Sequence, residues 1–412
     1  MKRLVIRHIG PINEVDIRLP QVLVLVGPQS QGKSTIAKLI SFCFWLEKHI
    51  VSRQSADDVD DIFLQERLLD YHKMRSYFTV SSYLEYESDV IHFKLVEFHS
   101  DRGFHSFTCT LKDALFSAQI GKIGYIPAER IAVGFSNIAS LKMEDDYIRD
   151  FVFDWLSVRT KYGKQNKFSV PDLPMEYYFD EAGGKDKVIL ADGNEIAVTE
   201  ASSGLQSMVP LVVYVDYLTH WVYVNKEDIS FEQRENIRKS YASLMRDVNG
   251  KKMPLLISPL PEEFLTALER TTTRDTERLS KDDELAPIFL LWERISKPHF
   301  SQIIIEEPEL NVYPTTQLKL LSYVFKSMDM ERDSLVLTTH SPYILNVLNL
   351  LFRAFDKKVK MEGADLDYDK TAVYLVNEGV IRDICVQNAH LVNPEVLSEP
   401  LDKIYVEFEK LG

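Results

Sequence analysis

The chain has 412 residues, of which 45% are hydrophobic, and its formal net charge at pH 7 is −14. This composition is typical of a folded protein with a sizeable core, and its acidic balance argues against binding nucleic acid by general positive charge. Three widely separated cysteines indicate neither a disulfide framework nor a cysteine-based metal site, and no apolar run reaches the roughly 18 residues that a membrane helix needs, so we expect a cytoplasmic protein.

The N-terminal part predicts short strands, a glycine-rich turn and a helix. The β-rich runs LVIRHI, EVDIRL and VLVLV lie between residues 3 and 27, and apolar residues at helical spacing extend to about His49. Between them lies a full match to GxxxxGK[ST], namely Gly27, Pro28, Gln29, Ser30, Gln31, Gly32, Lys33 and Ser34, followed by Thr35. Such a loop points backbone N–H groups at phosphates, its lysine reaches the β and γ oxygens, and its serine suits Mg²⁺. An ordinary glycine turn is the alternative, but it leaves the lysine unexplained.

The middle of the chain, residues 51–299, predicts an inserted lobe. It contains strands within 80–125, a polar and flexible stretch from 140 to 200, and helices over 213–299, including FEQRENIRKSYASLMRDV and PEEFLTALERTTTRDTERL. The flexible stretch carries a basic cluster: Arg159, Lys161, Lys164 and Lys167. In the segment 202–212, Ser203 and Gly204 begin an apolar helix, where small residues can bind an anion; a plain helix cap is an equally serious interpretation.

The C-terminal part, residues 300–412, predicts αβ units that complete a sheet with residues 1–50. The apolar run SQIIIEEPE ends in Glu306 and Glu307, which suit a Mg²⁺ ligand and a residue that orients or deprotonates the attacking water. His340 follows the next apolar run and can donate to a γ-phosphate. The competing interpretations are a solvated strand end for the two acids and a structural role for the histidine.

The loop, the SSGLQ segment, the EEPE strand and His340 together resemble the ATP-binding-cassette (ABC) type of ATPase in its SMC/RecF/OLD-like branch, where these motifs occur in the same order. The resemblance implies ATP and Mg²⁺ as cofactors, and an ABC-ATPase-like α/β head with a mixed sheet assembled from both chain ends and a helical lobe inserted in the middle. It also implies a homodimer in which Ser203 and Gly204 of one copy complete the loop site of another, with higher oligomers left open.

Several positions depart from the family pattern or suggest other sites. Residues 125–130, YIPAER, lie where the family has its glutamine-bearing loop, yet contain no glutamine, and Ser202 and Leu205 replace the usual leucine and second glycine of the signature. Asp365, Asp367 and Asp369 alternate in a way that fits a solvated loop better than a calcium loop. His92, His99 and His105 lack a spacing that would share a zinc ion.

Two functions from different classes remain open. One is an ATP-driven sensor or scaffold that controls a separate effector, such as a nuclease or toxin in a bacterial antiphage system. The other is a RecF-like repair ATPase that clamps DNA directly, with the basic cluster lining a groove. A protein that binds the nucleotide and hydrolyses it hardly at all is a third, plainer option.

Overall fold

A computed structural model of the protein describes residues 2–99, 103–134, 138, 142–171, 173–224, 293–393 and 395–411. In this part of the chain the strands are β1 Lys2–Ile9, β2 Ile12–Leu19, β3 Val22–Val26, β4 Tyr83–Glu87, β5 Ile91–His99, β6 Gly103–Leu111, β7 Gly121–Ile126, β8 Phe168–Ser169, β9 Glu176–Asp180, β10 Lys185–Ile189, β11 Glu195–Ala197, β12 Phe300–Glu306, β13 Ser334–Thr339, β14 Thr371–Asn377, β15 Val380–Asp383, β16 Cys385–Val386 and β17 Leu391–Val392.

The longer helices among these residues are α1 Lys33–Arg53, α2 Tyr147–Val158, α3 Ser203–Asp216, α4 Pro314–Ser327, α5 Pro342–Asp356 and α6 Glu395–Lys410. Shorter α- and π-helical segments are Asp61–Leu64, Gln65–Asp70, Tyr217–Trp221 and Val222–Val224. The 3₁₀-helical segments among these residues are Arg75–Tyr77, Asp113–Ser117, Ala128–Gly134, Arg159–Lys161, Val198–Glu200, Tyr368–Lys370 and Gln387–Ala389. Within the described residues, no helix has both the length and the apolar character that crossing a bilayer requires.

One mixed sheet dominates the described part of the chain, with strand order β6-β5-β4-β1-β2-β15-β14-β3-β13-β12-β7. The strands from β14 to β7 are parallel to one another, whereas β1, β2, β4, β5 and β6 form an antiparallel arm. Chain segments from both ends therefore build the parallel centre, as the sequence predicts. β14 lies inside the sheet, between β15 and β3.

The central strand β3 is buried on both faces, which explains its unbroken VLVLV sequence. Val22, Val24 and Val26 pack in a cluster with α3, α4 and α5, whereas Leu23 and Leu25 pack in a second cluster with α1. Because successive side chains alternate across a strand, the same five residues anchor helices to opposite faces. The sheet is therefore a middle layer that fixes where α1 begins.

The strands β4 to β7 belong to the main sheet. β4 pairs with β1 at one end, and β7 pairs with β12 at the other. The sequence predicts strands within 80–125 but not their partners, because strand pairing across such separations leaves no local signal. The division of the chain into domains remains a prediction, and the predicted helices between 225 and 292 lie outside the described residues.

The stretch from 140 to 200, expected to be flexible, is folded wherever it is described. α2 begins after Asp146, whose carboxylate accepts hydrogen bonds from the N–H groups of Ile148 and Arg149. A small antiparallel sheet, in the order β11-β10-β9-β8, follows it. Trp155 and Tyr177 pack in the same cluster as α3, so buried aromatic side chains hold this segment against the core.

Candidate active site

The loop from Gly27 to Gly32 connects β3 to α1, and Lys33 to Thr35 form the first turn of that helix, in the order that the sequence predicts. Gly27 has φ 149°, and a Cβ there would lie 2.2 Å from the carbonyl oxygen of Val376 in β14. Gly32 has φ 103°, and a Cβ there would lie 2.2 Å from a methyl carbon of Ile12. Both backbone conformations and both close approaches exclude any larger residue. The two glycines of the motif are thus required by this particular loop shape.

The loop is also held by the turn between β14 and β15. The Gln31 side chain accepts a 2.6 Å hydrogen bond from the backbone N–H of Glu378, and the Asn13 side chain donates to the carbonyl oxygen of the same residue at 2.9 Å. Gly32 precedes α1 without a side-chain cap, so the first turn of the helix, which includes Ser34 and Thr35, has N–H groups available to an anion.

Lys33 begins α1 and its ammonium group turns back into the loop. Its Nζ donates to the carbonyl oxygens of Gly27 at 2.9 Å and Pro28 at 2.7 Å, and lies 3.3 Å from Nδ1 of His340. Burial lowers the pKa of Lys33 to about 8, against the opposing effect of the nearby Glu307 and Glu309 carboxylates. A burial cost of this kind makes the ammonium a strong potential partner for phosphate oxygens.

The two predicted carboxylates lie in different environments. Glu306 is the last residue of β12 and is 3% exposed. One of its oxygens lies 3.4 Å from the N–H of Ala128, and the other, Oε1, has no hydrogen-bond partner among the described residues. Burial raises the pKa of Glu306, whereas Ser34 and Lys38 beside it act in the opposite direction.

An unpartnered, buried carboxylate oxygen beside a serine hydroxyl fits a hard divalent cation such as Mg²⁺. No group of three or more His, Cys, Asp or Glu side chains able to hold a metal ion occurs among the described residues. Glu306 and Ser34 would therefore supply only part of the coordination of such an ion. This suits Mg²⁺, which commonly combines one or two protein ligands with phosphate oxygens and water.

Glu307 and His340 meet Lys33 at the same edge of the sheet. Glu307 has φ 44°, in the left-handed region, and its carboxylate lies 3.3 Å from Nε2 of His340. The His340 backbone N–H donates to Glu309 at 2.7 Å, and the Thr339 hydroxyl donates to the same oxygen at 2.8 Å. Lys33, His340 and Glu307 thus form a continuous line of polar contacts, with Glu309 holding the end of β13 in place.

Sequence reasoning assigned no role to Arg130, which is fully buried next to these residues. Its guanidinium donates to the carbonyl oxygens of Glu306 at 2.8 Å, Glu307 at 2.7 Å, Pro127 at 3.2 Å and Ser207 at 3.1 Å. Burial lowers the pKa of Arg130 to about 10, so it stays charged at neutral pH. The final R of the YIPAER segment was the available signal, yet a single sequence does not reveal what an arginine contacts.

The predicted signature segment lies at the start of α3. Ser202 caps the helix by accepting from the N–H of Leu205 at 3.4 Å, and Ser203 is exposed. A Cβ on Gly204 would lie 2.8 Å from the carbonyl oxygen of Asn311, so the helix start contacts the segment after β12. In the described part of the chain, no hydrogen bond or ion pair joins Ser203 or Gly204 to the loop.

Comparison with known proteins found no matching family model and no matching curated protein. Solved structures do match. They include the SMC head domain from Thermotoga maritima, with 10% identity, a TM-score of 0.37, and coverage of 93% of this chain and 98% of that chain. The recombination mediator protein RecF matches with 10% identity, a TM-score of 0.30, and coverage of 93% and 97%. MJ0796, an ABC transporter cassette, matches with 11% identity, a TM-score of 0.28, and coverage of 93% and 97%.

The TM-scores of these matches are too low to assign a function to this chain. The fold class is α/β, as the sequence predicts, with a mixed sheet assembled from both ends of the chain.

Replacement of Arg130 by Met is expected to lower the free energy of unfolding by about 3 kcal/mol, because several buried carbonyl oxygens lose their donor. Arg130→Lys should recover only part of this loss, since one ammonium group cannot span the same carbonyls. Urea denaturation measures both. Arg149→Met, which removes an exposed pair with Asp145, serves as the control and should change stability by less than about 0.5 kcal/mol. Equal losses at the two positions would contradict the role given to Arg130.

Proposed function

We propose that the protein is an ABC-type ATPase of the SMC/RecF/OLD-like branch that binds ATP with Mg²⁺ and hydrolyses it. The observation that carries the proposal is the line of contacts from Lys33 through His340 to Glu307 beside a loop built to bind phosphate. These groups come from three separate segments of the chain. Their convergence is what the hydrolysis of a terminal phosphate requires: a cation, a hydrogen-bond donor and a base.

The contacts of His340 assign its tautomer. The Lys33 ammonium donates to Nδ1, so the ring proton lies on Nε2 and points at the Glu307 carboxylate. With ATP in the loop, Lys33 would turn to the phosphate oxygens, and His340 would donate from Nε2 to the γ-phosphate. The Glu307 carboxylate would then be free to accept a proton from, or to orient, the attacking water.

Mg²⁺ would be held by Ser34 and Glu306, and when bound it neutralises charge on the phosphate oxygens. The deep burial of Glu306 separates its role from that of Glu307, which is partly exposed. A buried carboxylate is suited to a cation, whereas an accessible one can meet water. The two adjacent acids therefore have different proposed functions because strand β12 ends between them.

Glu307→Gln is expected to reduce the ATP turnover number by about 100-fold or more, because the amide cannot accept the proton from water. ATP binding should persist, since the loop and Lys33 are unchanged. Phosphate release gives the turnover, and calorimetry with ATP and Mg²⁺ gives the affinity.

Glu331→Gln is the matched control, because Glu331 is an exposed partner of Lys370 and belongs to no part of the site. It should retain wild-type turnover. An unchanged rate in Glu307→Gln would remove the catalytic assignment. Wild-type protein that binds ATP but releases hardly any phosphate would instead support the plainer function of nucleotide binding.

We further propose that two copies of the chain enclose ATP between them. Ser203 is exposed at the start of a capped helix, where its hydroxyl and the first N–H groups of α3 can meet an anion. The Lys33 site of one copy would thus be completed by Ser203 and Gly204 of a second copy. Higher oligomers are compatible with this arrangement.

A mixing experiment tests the shared site. Lys33→Ala and Ser203→Arg proteins should each be inactive alone, the first because it lacks the phosphate-binding cation and the second because a bulky cation fills the contact. A mixture of the two should recover turnover, since a mixed dimer contains one site with an intact loop and an intact Ser203. A mixture that stays inactive, although the two proteins are shown to associate, would contradict a site formed by two copies.

For the biological role, we propose a cytoplasmic sensor or scaffold whose nucleotide cycle controls a separate effector, such as a nuclease or toxin in antiphage defence. Its support is the sequence resemblance to stand-alone ATPases of such systems, together with an acidic net charge of −14 that suits protein partners better than nucleic acid.

The alternative, direct clamping of DNA in repair, would need an available basic surface. Arg159 pairs with Asp186 at 2.9 Å, and Lys167 pairs with Glu176 at 3.0 Å, so part of the basic cluster is already neutralised. Lys164 lies over the ring of Tyr178 at 5.7 Å. These contacts favour a structural role for the cluster over a DNA-binding groove.

We therefore expect duplex DNA to bind with a Kd weaker than about 1 μM at physiological salt, with or without ATP. Fluorescence anisotropy over a series of salt concentrations measures this. Nanomolar binding with a steep salt dependence, lost in Lys161→Glu/Lys164→Glu protein, would favour the repair clamp and contradict the effector proposal.

A further inference from the structure

A cavity of about 380 Å³ lies beside α1, β7 and α2, away from the loop. Aromatic side chains form much of its wall, among them Trp45, Tyr147 and Phe153. Trp45 is twelve residues after Lys33 in α1, which corresponds to about 18 Å along the helix axis. The volume falls in the range of roughly 300–1,000 Å³ that small-molecule sites occupy. The cavity is therefore large enough for a ligand and separate from the phosphate-binding loop.

His72 lines this cavity and is 2% exposed. Burial lowers the pKa of His72 to about 3, so its imidazole is neutral, and its Nδ1 has no hydrogen-bond partner among the described residues. Its ring stacks near Tyr147, with centroids 6.4 Å apart and planes at 22°. A buried nitrogen without a partner is costly in a folded protein. A ligand would offset that cost if the His72 ring turned this nitrogen towards the cavity.

The cavity also contains both acceptors and donors. Asp150 and Asp154 lie one turn apart on α2 and accept from the hydroxyls of Tyr71 and Tyr214, respectively. Lys122 donates to Asp154 at 3.0 Å. A purely apolar ligand would offer these polar groups no hydrogen bonds, and an aliphatic ligand would not stack on the aromatic rings.

A flat heterocycle with donors and acceptors on its edge satisfies both features of the wall. We propose that this cavity is a binding site for a nucleobase, presented as a nucleoside. Its ring stacks against the aromatic wall, and its edge hydrogen-bonds to His72 and to the carboxylates of α2. Carboxylates accept from exocyclic amino groups, which saturated carbocycles lack.

Tyr147 connects this cavity to the site of the proposed ATPase. Its ring carries the Lys38 ammonium over one face, 4.4 Å from the centroid, and lies 5.5 Å from the ring of Tyr125. Lys38 in turn lies near Glu306, and its charge opposes the rise that burial causes in the pKa of that carboxyl. If the proposed ATPase function holds, a ligand that moves Tyr147 would act on the residues around Glu306. The binding proposal itself does not depend on ATP hydrolysis.

Calorimetry of the full chain with adenosine, guanosine, cytidine and uridine tests the proposal. We expect at least one of them to bind with a Kd of about 10–100 μM and one site per chain. His72→Phe, which keeps the ring shape, should weaken binding about tenfold, and Ser41→Met, which fills the cavity from α1, should abolish it. Because nucleosides carry no phosphate, Lys33→Ala should leave binding intact and separates this outcome from any failure of ATP binding.

His220→Phe is the matched control, since His220 is an exposed residue that does not line the cavity. A second measurement requires no change at His72: a stacked base should quench tryptophan fluorescence in the wild type and not in Trp45→Phe. The proposal is overturned if none of the four nucleosides binds saturably up to about 1 mM. It is also overturned if binding persists unchanged in folded His72→Phe and Ser41→Met proteins, because the ligand would then occupy another site.

Discussion

The register of three parallel strands is the constraint on which the site depends. Val26 of β3 lies opposite Thr339 of β13, and Thr338 of β13 lies opposite Glu306 of β12. The three strands therefore end at the same edge, and the residues that follow each of them are brought together without any long side chain having to reach. Because a shift of one residue in a strand turns every side chain to the other face, this register is strongly fixed by the apolar clusters on both sides.

Directly after β12, the backbone at Glu307 is held in the left-handed conformation, which residues other than glycine rarely adopt. A left-handed conformation at a glutamate costs about 1 kcal/mol, and Glu307 adopts one. The Arg130 guanidinium spans the carbonyl oxygens on both sides of this bend and also reaches the signature helix through Ser207. Because the Arg130 guanidinium binds backbone carbonyl oxygens, it fixes the path of the chain independently of side-chain conformations. The proposed base is thereby linked to the segment that would contact a second copy.

Short sequence patterns predicted the local features of the candidate site, but not the pairing of strands that are distant in the chain. The loop, the acidic strand end and the histidine after β13 are predicted by short motifs, because a glycine-requiring turn and a buried strand both show in the residue types of a few adjacent positions. The placement of β4 to β7 in the main sheet left no such mark. Neither did the small sheet from β8 to β11, since its strands are only two to five residues long and turns separate them. The contacts of Arg130 and Glu309 depend on the tertiary arrangement, so one sequence could not assign them. Whether Ser203 meets the Lys33 of another copy stays a prediction.

The hydrogen bond between Gln31 and Glu378 makes the shape of the predicted phosphate-binding motif depend on a distant part of the chain. Its shape is completed by a turn 347 positions later in the chain, which also holds Asn13, and by the carbonyl oxygen of Val376 packed against Gly27. An N-terminal fragment could contain the whole GxxxxGK[ST] motif and still lack the contacts that hold the loop in this shape. Grafting this loop onto another scaffold would therefore require the β14–β15 hairpin as well, and insertions in that distant hairpin would first change the shape of the proposed phosphate-binding loop.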